Sequence, residues 1–247
     1  MKPSKETKLN PSRKLNRWPA RIELIQGATG LLLVLFIWVH SFLVSSILIS
    51  DKAMYNVARF FEGYYVFGRP YPMLVSAIAF IVFVLVVVHA ILAIRKIPAS
   101  YSEYQALRQH LTTFKHTDTL MWAVQVVTGL LLMFFVSIHL YQMFSHPSGI
   151  GPYASADRIW NDNFWPMYLI LLFAAEIHGG IGVYRLLLKW GWFGPDRKKL
   201  KITLLLIVSF FLILGTLTLT TEIRKGIAHA DSPGERYDPA KAEVDQQ

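Results

Sequence analysis

Five long apolar stretches dominate the pattern of hydrophobic and polar positions along the chain. They cover residues 22–48, 72–94, 119–144, 164–188 and 202–223. Each is long enough to cross the hydrocarbon core of a bilayer as a helix, which takes about 20 residues. Only short polar segments separate them. The pattern therefore predicts an all-α membrane protein, a bundle of five transmembrane helices in a single domain.

The ends of the chain are polar and flank this membrane domain, which we assign to residues 22–225. Residues 1–21 are basic and contain neither an apolar core nor a small-residue cleavage site, so we expect a cytoplasmic segment rather than a secretory signal. Residues 226–247 form a polar C-terminal tail with Pro, Gly and mixed charges. We expect this tail to lie on the outer side and to be weakly ordered.

The distribution of positive charge predicts how the helices are oriented. The chain has a net charge of +9 and contains 25 Lys and Arg residues. With five spans and the N-terminus inside, 17 of these residues fall on the cytoplasmic side. That asymmetry satisfies the positive-inside rule and puts the C-terminus in the periplasm. Because the asymmetry explains the charge, we expect no nucleic-acid partner.

The chain contains no cysteine. This excludes disulfides, thiolate catalysis, iron–sulfur ligation by this chain and covalent attachment of haem. A redox metal bound to this chain would therefore have nitrogen or oxygen ligands. The chain also has no glycine-rich nucleotide-binding fingerprint.

An internal repeat relates the first apolar stretch to the third. The first copy is Gln26-x-x-Thr29-Gly30 followed by His40, and the second is Gln125-x-x-Thr128-Gly129 followed by His139. Both helices run outward with identical spacing, so the two histidines are predicted at the same depth. At 1.5 Å per residue they lie about 15 Å beyond their glycines. That level is near the outer face of the membrane.

The second and fourth stretches run inward, and each carries one histidine, His89 and His178. Each stretch opens with a Pro-Met pair, and proline suits the first turn of a helix. His89 lies 17 residues after its proline and His178 only 12. At 1.5 Å per residue this is a mismatch of roughly 7 Å. A tilt or a displaced helix start has to absorb it if the two side chains are to meet.

The four histidines, one on each of the first four helices, predict the cofactor. A single polar side chain in hydrocarbon marks function but fits an interhelical hydrogen bond equally well. Four histidines paired by depth favour two haems, because a planar porphyrin takes one imidazole on each face of its iron. We predict that His40 and His139 bind an outer haem, and that His89 and His178 bind an inner haem. Iron with both axial positions filled transfers electrons only.

Small residues near these histidines allow close approach of a flat ring, but they also allow plain helix packing. They are Gly30, Ala90, Gly129, Gly179, Gly180 and Gly182. The sequence leaves both interpretations open. The fifth helix has no histidine, and we expect it to close the bundle.

A series of motifs covers nearly the whole chain, from Trp18 to Lys225. The motifs are Trp18-Pro-Ala, the segment from Gln26 to His40, Phe61-Glu62, His89 to Lys96, Trp122, His139-Leu-Tyr, Trp165-Pro-x-Tyr, Glu176-x-His178-Gly and Lys189-Trp-Gly-Trp. Together they resemble the cytochrome b membrane subunit of bacterial fumarate reductases and succinate:menaquinone oxidoreductases. The likeness is to the branch with one large membrane subunit and two haems.

The resemblance implies a membrane anchor in the bacterial cytoplasmic (inner) membrane that reacts with quinone and transfers electrons. It implies two haem b groups as cofactors and menaquinone or menaquinol as substrate. The implied partners are an iron–sulfur subunit, which the basic inner loops would face, and an FAD-containing flavoprotein subunit that carries the succinate and fumarate chemistry. The family also suggests a dimer of heterotrimers.

The resemblance further assigns residues near the haem propionates. These are Gln26, Trp122, Arg158, Lys189 and Lys96. Carboxylates at a membrane boundary favour cationic or hydrogen-bonding partners. The alternative is that Lys and Arg at helix ends extend to the lipid headgroups.

Two carboxylates are candidates for proton transfer. The resemblance makes Glu62, in the outer loop after the first helix, a proton acceptor for quinol oxidation. The alternative is a solvated loop glutamate. Glu176 lies within an apolar helix, two residues from His178. We predict that it relays protons linked to haem reduction, and the alternative is a neutral hydrogen-bond donor to a neighbouring helix.

Two other functions fit parts of this pattern. A cytochrome b subunit of a membrane hydrogenase or formate dehydrogenase also uses bis-histidine haems, and a nickel or molybdenum partner subunit would reveal it. A transporter or a structural anchor with internal polar contacts would purify without colour.

Overall fold

The computed structural model describes residues 16–114, 117–192 and 196–244, so most of the basic N-terminal segment lies outside the described residues. Within these ranges the chain is helical and has no β-strand. Five of the described helices are long and apolar enough to cross a membrane, at Trp18–Leu48, Met73–Ile94, Thr117–Ser145, Trp165–Trp190 and Arg197–Ala228. The predicted fold, an all-α membrane protein with five transmembrane helices, is confirmed.

We number the helices in chain order. The transmembrane helices are α1 (Trp18–Val44, continued by a 3-10 turn at Ser45–Leu48), α4 (Met73–Ile94), α6 (Thr117–Ser145), α8 (Trp165–Trp190) and α9 (Arg197–Ala228). The shorter helices are α2 (Asp51–Phe61), α3 (Tyr64–Phe67), α5 (Tyr101–Gln109), α7 (Pro152–Trp160) and α10 (Pro239–Val244). The connections between spans thus contain helices that the apolar pattern does not predict.

Local sequence explains where several helices begin and end. The side chain of Ser50 caps α2 and accepts a hydrogen bond from the backbone nitrogen of Ala53 at 3.0 Å, as is typical of serine in this position. Pro166 lies in the first turn of α8, where its missing donor costs little. Gly191 directly follows the last residue of the same helix, and its φ of 69° lies in the left-handed region that favours glycine.

The bundle has two chemically different ends. One end holds the starts of α1, α6 and α9 and the ends of α4 and α8, and we name it the basic end because it carries Arg95, Lys96 and Lys189. The opposite end holds α2 and α7, and we name it the covered end. There α7 packs against α9, and α2 packs against the 3-10 turn that follows α1.

Two glycines of α8 allow it to pack closely against its neighbours. A Cβ atom on Gly179 would lie 2.8 Å from Cγ2 of Val34 in α1, and one on Gly180 would collide with Val208 in α9. Real Cβ atoms essentially never approach other atoms this closely. Helix packing, one of the two interpretations left open by the sequence, therefore applies to both glycines, and Gly179 also lines the space between the helices.

The C-terminal tail contacts the covered end of the bundle. The backbone nitrogen of Gly234 donates a hydrogen bond to Asp157 Oδ2 at 2.9 Å. The ring of Tyr237 lies 5.6 Å from that of Tyr55 in α2 and 5.5 Å from that of Tyr153 in α7, measured between centroids. These contacts differ from the expectation of a weakly ordered tail, because aromatic packing and a hydrogen bond attach it to two helices.

Candidate functional site

The four predicted ligands meet in two pairs. His40 of α1 faces His139 of α6 near the covered end, with ring centroids 6.2 Å apart and ring planes at 80°. His89 of α4 faces His178 of α8 near the basic end, with centroids 6.4 Å apart and planes at 83°. We name these the covered-end pair and the basic-end pair. The pairs are those that depth along the helices predicts, so the packing of α4 and α8 absorbs the mismatch between His89 and His178.

The spacing within each pair fits one metal ion between two imidazoles. A bond from a metal to an imidazole nitrogen is about 2 Å long, and the ring centroid lies about 1 Å behind that nitrogen, so two ligands on opposite sides place their centroids about 6 Å apart. A direct hydrogen bond between the rings would bring the centroids to about 5 Å. The observed distances of 6.2 and 6.4 Å match the first arrangement.

The donor set also fits a haem better than a bare metal ion. Among the described residues, no group of three or more His, Asp or Glu side chains converges on a possible metal site. Each pair therefore supplies two nitrogen ligands, which is the number that iron in a porphyrin needs from the protein for six-fold coordination.

The first copy of the Gln-x-x-Thr-Gly repeat holds His89. Its Nδ1 lies 3.2 Å from the backbone oxygen of Gln26 and 3.3 Å from Oγ1 of Thr29. That hydroxyl donates its own hydrogen to the backbone oxygen of Ile25 at 2.8 Å, so it accepts from the imidazole. A Cβ atom on Gly30 would lie 2.8 Å from Cε1 of His89. Only glycine lets the ring lie this close to α1.

The second copy of the repeat holds His178 in the same way. Its Nδ1 lies 2.9 Å from the backbone oxygen of Gln125 and 3.4 Å from Oγ1 of Thr128. A Cβ atom on Gly129 would lie 3.0 Å from Cε1 of His178. An Nδ1–H group that donates to a carbonyl leaves Nε2 unprotonated, which is the form that binds a metal. The two copies thus form a cradle for the basic-end pair.

A hydrogen-bond chain supports His139 in the covered-end pair. Its Nδ1 lies 3.1 Å from the hydroxyl of Tyr168, which accepts from Nε of Arg158 at 3.0 Å and donates to Oε1 of Gln142 at 3.2 Å. Nη1 of Arg158 donates to the backbone oxygen of Gly149 at 2.6 Å. An Nδ1–H donor again leaves Nε2 of His139 as the metal-binding nitrogen.

A cavity of about 760 Å³ runs between the helices and connects the two pairs. This volume lies in the usual range for ligand sites, about 300 to 1,000 Å³. The cavity is lined by all four histidines and also by the predicted propionate partners Gln26, Trp122, Arg158, Lys189 and Lys96. The structure therefore brings the predicted ligands and their predicted partners around one space.

Three cations surround one carboxylate at the basic end. Glu23 forms ion pairs with Arg95, with Lys189 and, at 3.1 Å, with Lys96. Burial lowers the pKa of Lys96, and its ion pair with Glu23 opposes that shift. These four groups have a net charge of +2, which suits the two carboxylates of a haem. Glu23 is not among the residues predicted from the sequence, where a single carboxylate near a helix start gives no strong signal.

Glu62 lies at the end of α2, directly after Phe61, and only 1% of its surface is exposed. Its Oε2 lies 2.5 Å from Nη2 of Arg59. Burial raises the pKa of Glu62, and the charge of Arg59 opposes that rise. The alternative of a solvated loop glutamate is therefore wrong. Ala58 and Phe61, on the same helix, line the cavity.

Glu176 is buried in α8 and lines the cavity, with 1% of its surface exposed. Its Oε2 accepts a hydrogen bond from Nε1 of Trp38 in α1 at 3.1 Å. Its Oε1 has no hydrogen-bond partner among the described residues. The interhelical bond of the alternative interpretation is present, but the carboxyl group accepts it instead of donating it. One oxygen remains available to a group in the cavity.

Glu222 of α9 is a buried cavity-lining carboxylate that is not among the predicted site residues. Only 1% of its surface is exposed. Neither of its oxygens has a hydrogen-bond partner among the described residues. The rule that selects Glu176, a carboxylate within an apolar stretch, selects Glu222 as well. The fifth transmembrane helix thus contributes a carboxyl group to the cavity lining in addition to closing the bundle.

A membrane-spanning bundle that brings two imidazole pairs to this spacing around a long cavity is typical of the b-type cytochromes. Comparison with known proteins agrees. The family model for the succinate dehydrogenase/fumarate reductase transmembrane subunit matches residues 101–218.

Curated relatives cover more of the chain. It is 45% identical over 217 residues to the fumarate reductase cytochrome b subunit of Helicobacter pylori strain J99, a match that covers 86% of this chain and 84% of the relative. It is 42% identical over 228 residues to the fumarate reductase cytochrome b subunit of Wolinella succinogenes, covering 90% and 89%. The chain belongs to the family of fumarate reductase cytochrome b subunits, and the resemblance found in the sequence is confirmed.

Proposed function

We propose that this chain is the membrane anchor and quinone-reactive subunit of a fumarate reductase or succinate dehydrogenase complex. In this proposal it moves electrons between menaquinol or menaquinone and an iron–sulfur subunit. The observation that carries the proposal is the spacing of the two imidazole pairs, 6.2 and 6.4 Å between centroids. Haem b, when bound, supplies one-electron redox chemistry.

The covered-end pair, His40 and His139, would hold the outer haem, and the basic-end pair, His89 and His178, would hold the inner haem. Three of these four histidines make hydrogen bonds through Nδ1. Such bonds fix both the orientation of each ring and the nitrogen that it offers to iron. The ligands lie on packed helices, which position a metal site more rigidly than loops do.

Charged and polar groups at the two ends of the cavity would bind the propionates. Lys96, Lys189, Gln26 and Trp122 would serve the inner haem, and Arg158 would serve the outer haem. All five line the cavity. Glu23 balances only one of the three positive charges of Arg95, Lys96 and Lys189. A propionate would therefore form an ion pair with Lys96 or Lys189 in place of Glu23.

The basic end would face the cytoplasm and the iron–sulfur subunit. The positive-inside rule supports this orientation in the bacterial inner membrane, with the N-terminus cytoplasmic and the C-terminus periplasmic. An FAD-containing flavoprotein subunit would carry the succinate and fumarate chemistry. We also propose that the complex is a dimer of heterotrimers, as the family resemblance suggests.

Glu62 would accept a proton from quinol at the covered end. Oxidation of a quinol releases two protons and two electrons, so a carboxylate near the site must be ionised before the reaction. Burial raises the pKa of Glu62, and the charge and ion pair of Arg59 oppose that rise and so favour the ionised carboxylate. A carboxylate with a raised pKa is also a stronger base once it is ionised.

Glu176 would relay a proton within the cavity when electrons move toward the basic end. Its Oε1, which has no hydrogen-bond partner in the described part of the chain, and its place in the cavity lining support this role. Glu176→Gln keeps the shape and the bond from Trp38 but removes the acid. The expected result is loss of quinol-linked turnover at a high membrane potential. Unchanged activity and unchanged dependence on membrane potential would refute the relay.

The proposed function is tested by a pyridine-haemochrome assay on the purified complex, combined with an assay of quinol-linked fumarate reduction. We expect two b haems per chain, a co-purifying flavoprotein and fumarate-reducing activity. A colourless preparation would indicate a transporter or a structural anchor. A nickel or molybdenum subunit would instead assign the chain to a hydrogenase or formate dehydrogenase.

A further inference from the structure

Glu222 has no role in the function proposed above, although it is among the most buried side chains in the described part of the chain. Gly215, Leu219 and Glu222 all line the cavity, and their spacing places them on one face of α9. Neither carboxyl oxygen of Glu222 has a hydrogen-bond partner among the described residues. A buried carboxyl group without partners is costly, so its presence beside a ligand-sized cavity calls for a function.

Close packing of α7 against α9 determines which charges lie near Glu222. Gly226 lies one turn after Glu222, and a Cβ atom at this position would lie 2.8 Å from the backbone oxygen of Ala156 and would collide with Trp160. A larger residue would push the two helices apart. The contact brings Arg158 of α7 to the cavity face of α9.

Three charged groups from three elements act on Glu222. Arg158 of α7 and Lys225 of α9 contribute positive charge, and Asp51 of α2 contributes negative charge. Nζ of Lys225 pairs with Oδ1 of Asp51 at 2.5 Å, and Arg158 donates its hydrogen bonds to other oxygens. With Glu222 ionised, the four charges sum to zero. With Glu222 protonated, the cluster has a net charge of +1.

Arg158, one of these four charged groups, is connected to the covered-end pair through hydrogen bonds. Arg158 donates to the hydroxyl of Tyr168, and this hydroxyl lies 3.1 Å from Nδ1 of His139. A negative charge that enters an apolar cavity is poorly screened. It favours protonation of any carboxylate in its field. Among the described residues, Glu222 is the member of the cluster that has no hydrogen bond or ion pair to hold it in one protonation state.

We propose that Glu222 binds one proton when one electron enters the region of the covered-end pair, and releases that proton when the electron leaves. The electron comes from quinol, and the proton comes from the aqueous phase at the covered end, where Asp51 and Lys225 are each about a quarter exposed. One negative charge and one positive charge arrive together, so the net charge of the region is unchanged. This inference rests on the proposed haem ligation by His40 and His139.

The test is a potentiometric titration of both haems at a series of pH values, using the purified complex. The titration component that disappears in His40→Ala is assigned to the outer haem. In the wild type, we expect the potential of the outer haem to fall as the pH rises. In Glu222→Gln, which keeps the shape but not the acid, most of that dependence should disappear. Glu222→Asp should retain it, as should the control Glu103→Gln on the exposed surface of α5.

A second readout follows the proton itself. Infrared difference spectra between the oxidised and reduced wild-type complex should contain a carboxyl band that is absent in Glu222→Gln and displaced in Glu222→Asp. A wild-type outer haem whose potential does not depend on pH would overturn the inference without any variant. An undiminished pH dependence in Glu222→Gln would also overturn it. A wild-type complex without haem would instead refute the proposed function.

Discussion

The imidazole of His89 occupies the space that a side chain at position 30 would need, since a Cβ atom on Gly30 would lie 2.8 Å from its Cε1. Gly129 has the same relation to His178, at 3.0 Å. A methyl group at either position must displace the ring, and iron ligation tolerates little displacement. Gly30→Ala and Gly129→Ala should therefore each remove the inner haem and leave the outer haem in place.

The pyridine-haemochrome assay checks this first prediction, because the haem content should fall from two groups per chain to one. Thr216→Ala, at an exposed position on α9 outside the cavity lining, is the control. Full haem content in the Gly30 and Gly129 variants would contradict the proposal that the two repeats position His89 and His178 for the inner haem.

Thr29→Val should change the potential of the inner haem without loss of haem. The hydroxyl of Thr29 accepts from Nδ1 of His89 at 3.3 Å, and such a bond makes the imidazole a more basic ligand. The backbone oxygen of Gln26 would still hold the ring. A weak hydrogen bond contributes about 0.5 to 1 kcal/mol, so we expect the potential to rise by about 20 to 40 mV. Redox titration against Thr216→Val, an exposed position on α9, measures the difference, and equal potentials would argue against this role.

Arg59→Gln should move quinol oxidation to higher pH. Glu62 must be ionised to accept a proton, and burial already raises its pKa. The guanidinium of Arg59 favours the ionised form, so its removal raises the pKa further. The rising limb of the pH profile should shift upward by about 1 to 2 pH units. Arg69→Gln, an exposed change of charge at the same end, should leave the profile in place. An unchanged pH profile would show that Glu62 is not the proton acceptor in quinol oxidation.

Glu23→Gln should raise the potential of the inner haem. The carboxylate pairs with Arg95, Lys96 and Lys189, and its removal leaves more positive charge near the basic-end pair. Positive charge favours the reduced form of iron. We expect an increase of about 20 to 60 mV. The exposed change Glu103→Gln controls for loss of a carboxylate at this end, and a potential that fell or stayed constant would contradict the charge assignment.

The fold and the histidine pairs could be predicted from the sequence because both depend on simple lengths and spacings. Apolar stretches of membrane-spanning length define the five spans, and identical spacing after the two repeats sets His40 and His139 at one depth. For His89 and His178, spacing alone left a mismatch of roughly 7 Å. That mismatch is resolved only by the relative positions of packed helices, which a linear pattern does not contain.

Other parts of the site depend on contacts between distant segments. The ion pair of Glu23 with Lys189 joins residues 166 positions apart, and the bond from Trp38 to Glu176 spans 138 positions. Sequence patterns give the residue types but not such pairings. The role of the repeat as a cradle depends in the same way on where α4 and α8 place their histidines.

Glu222 could have been selected from the sequence by the rule that selected Glu176, since it lies within a predicted span. Its position near the end of that span, among threonines and basic residues, made it resemble a residue at the membrane boundary. Only 1% of its surface is exposed, and the apolar pattern did not predict α7, which packs against α9 at this end.

The most direct measurement is an experimental density map of the purified complex at a resolution that shows side chains. It should contain two porphyrin rings in the cavity, one held by His40 and His139 and one held by His89 and His178. A map in which these imidazoles bond to neighbouring helices, with lipid or side chains between them, would contradict haem ligation by this chain.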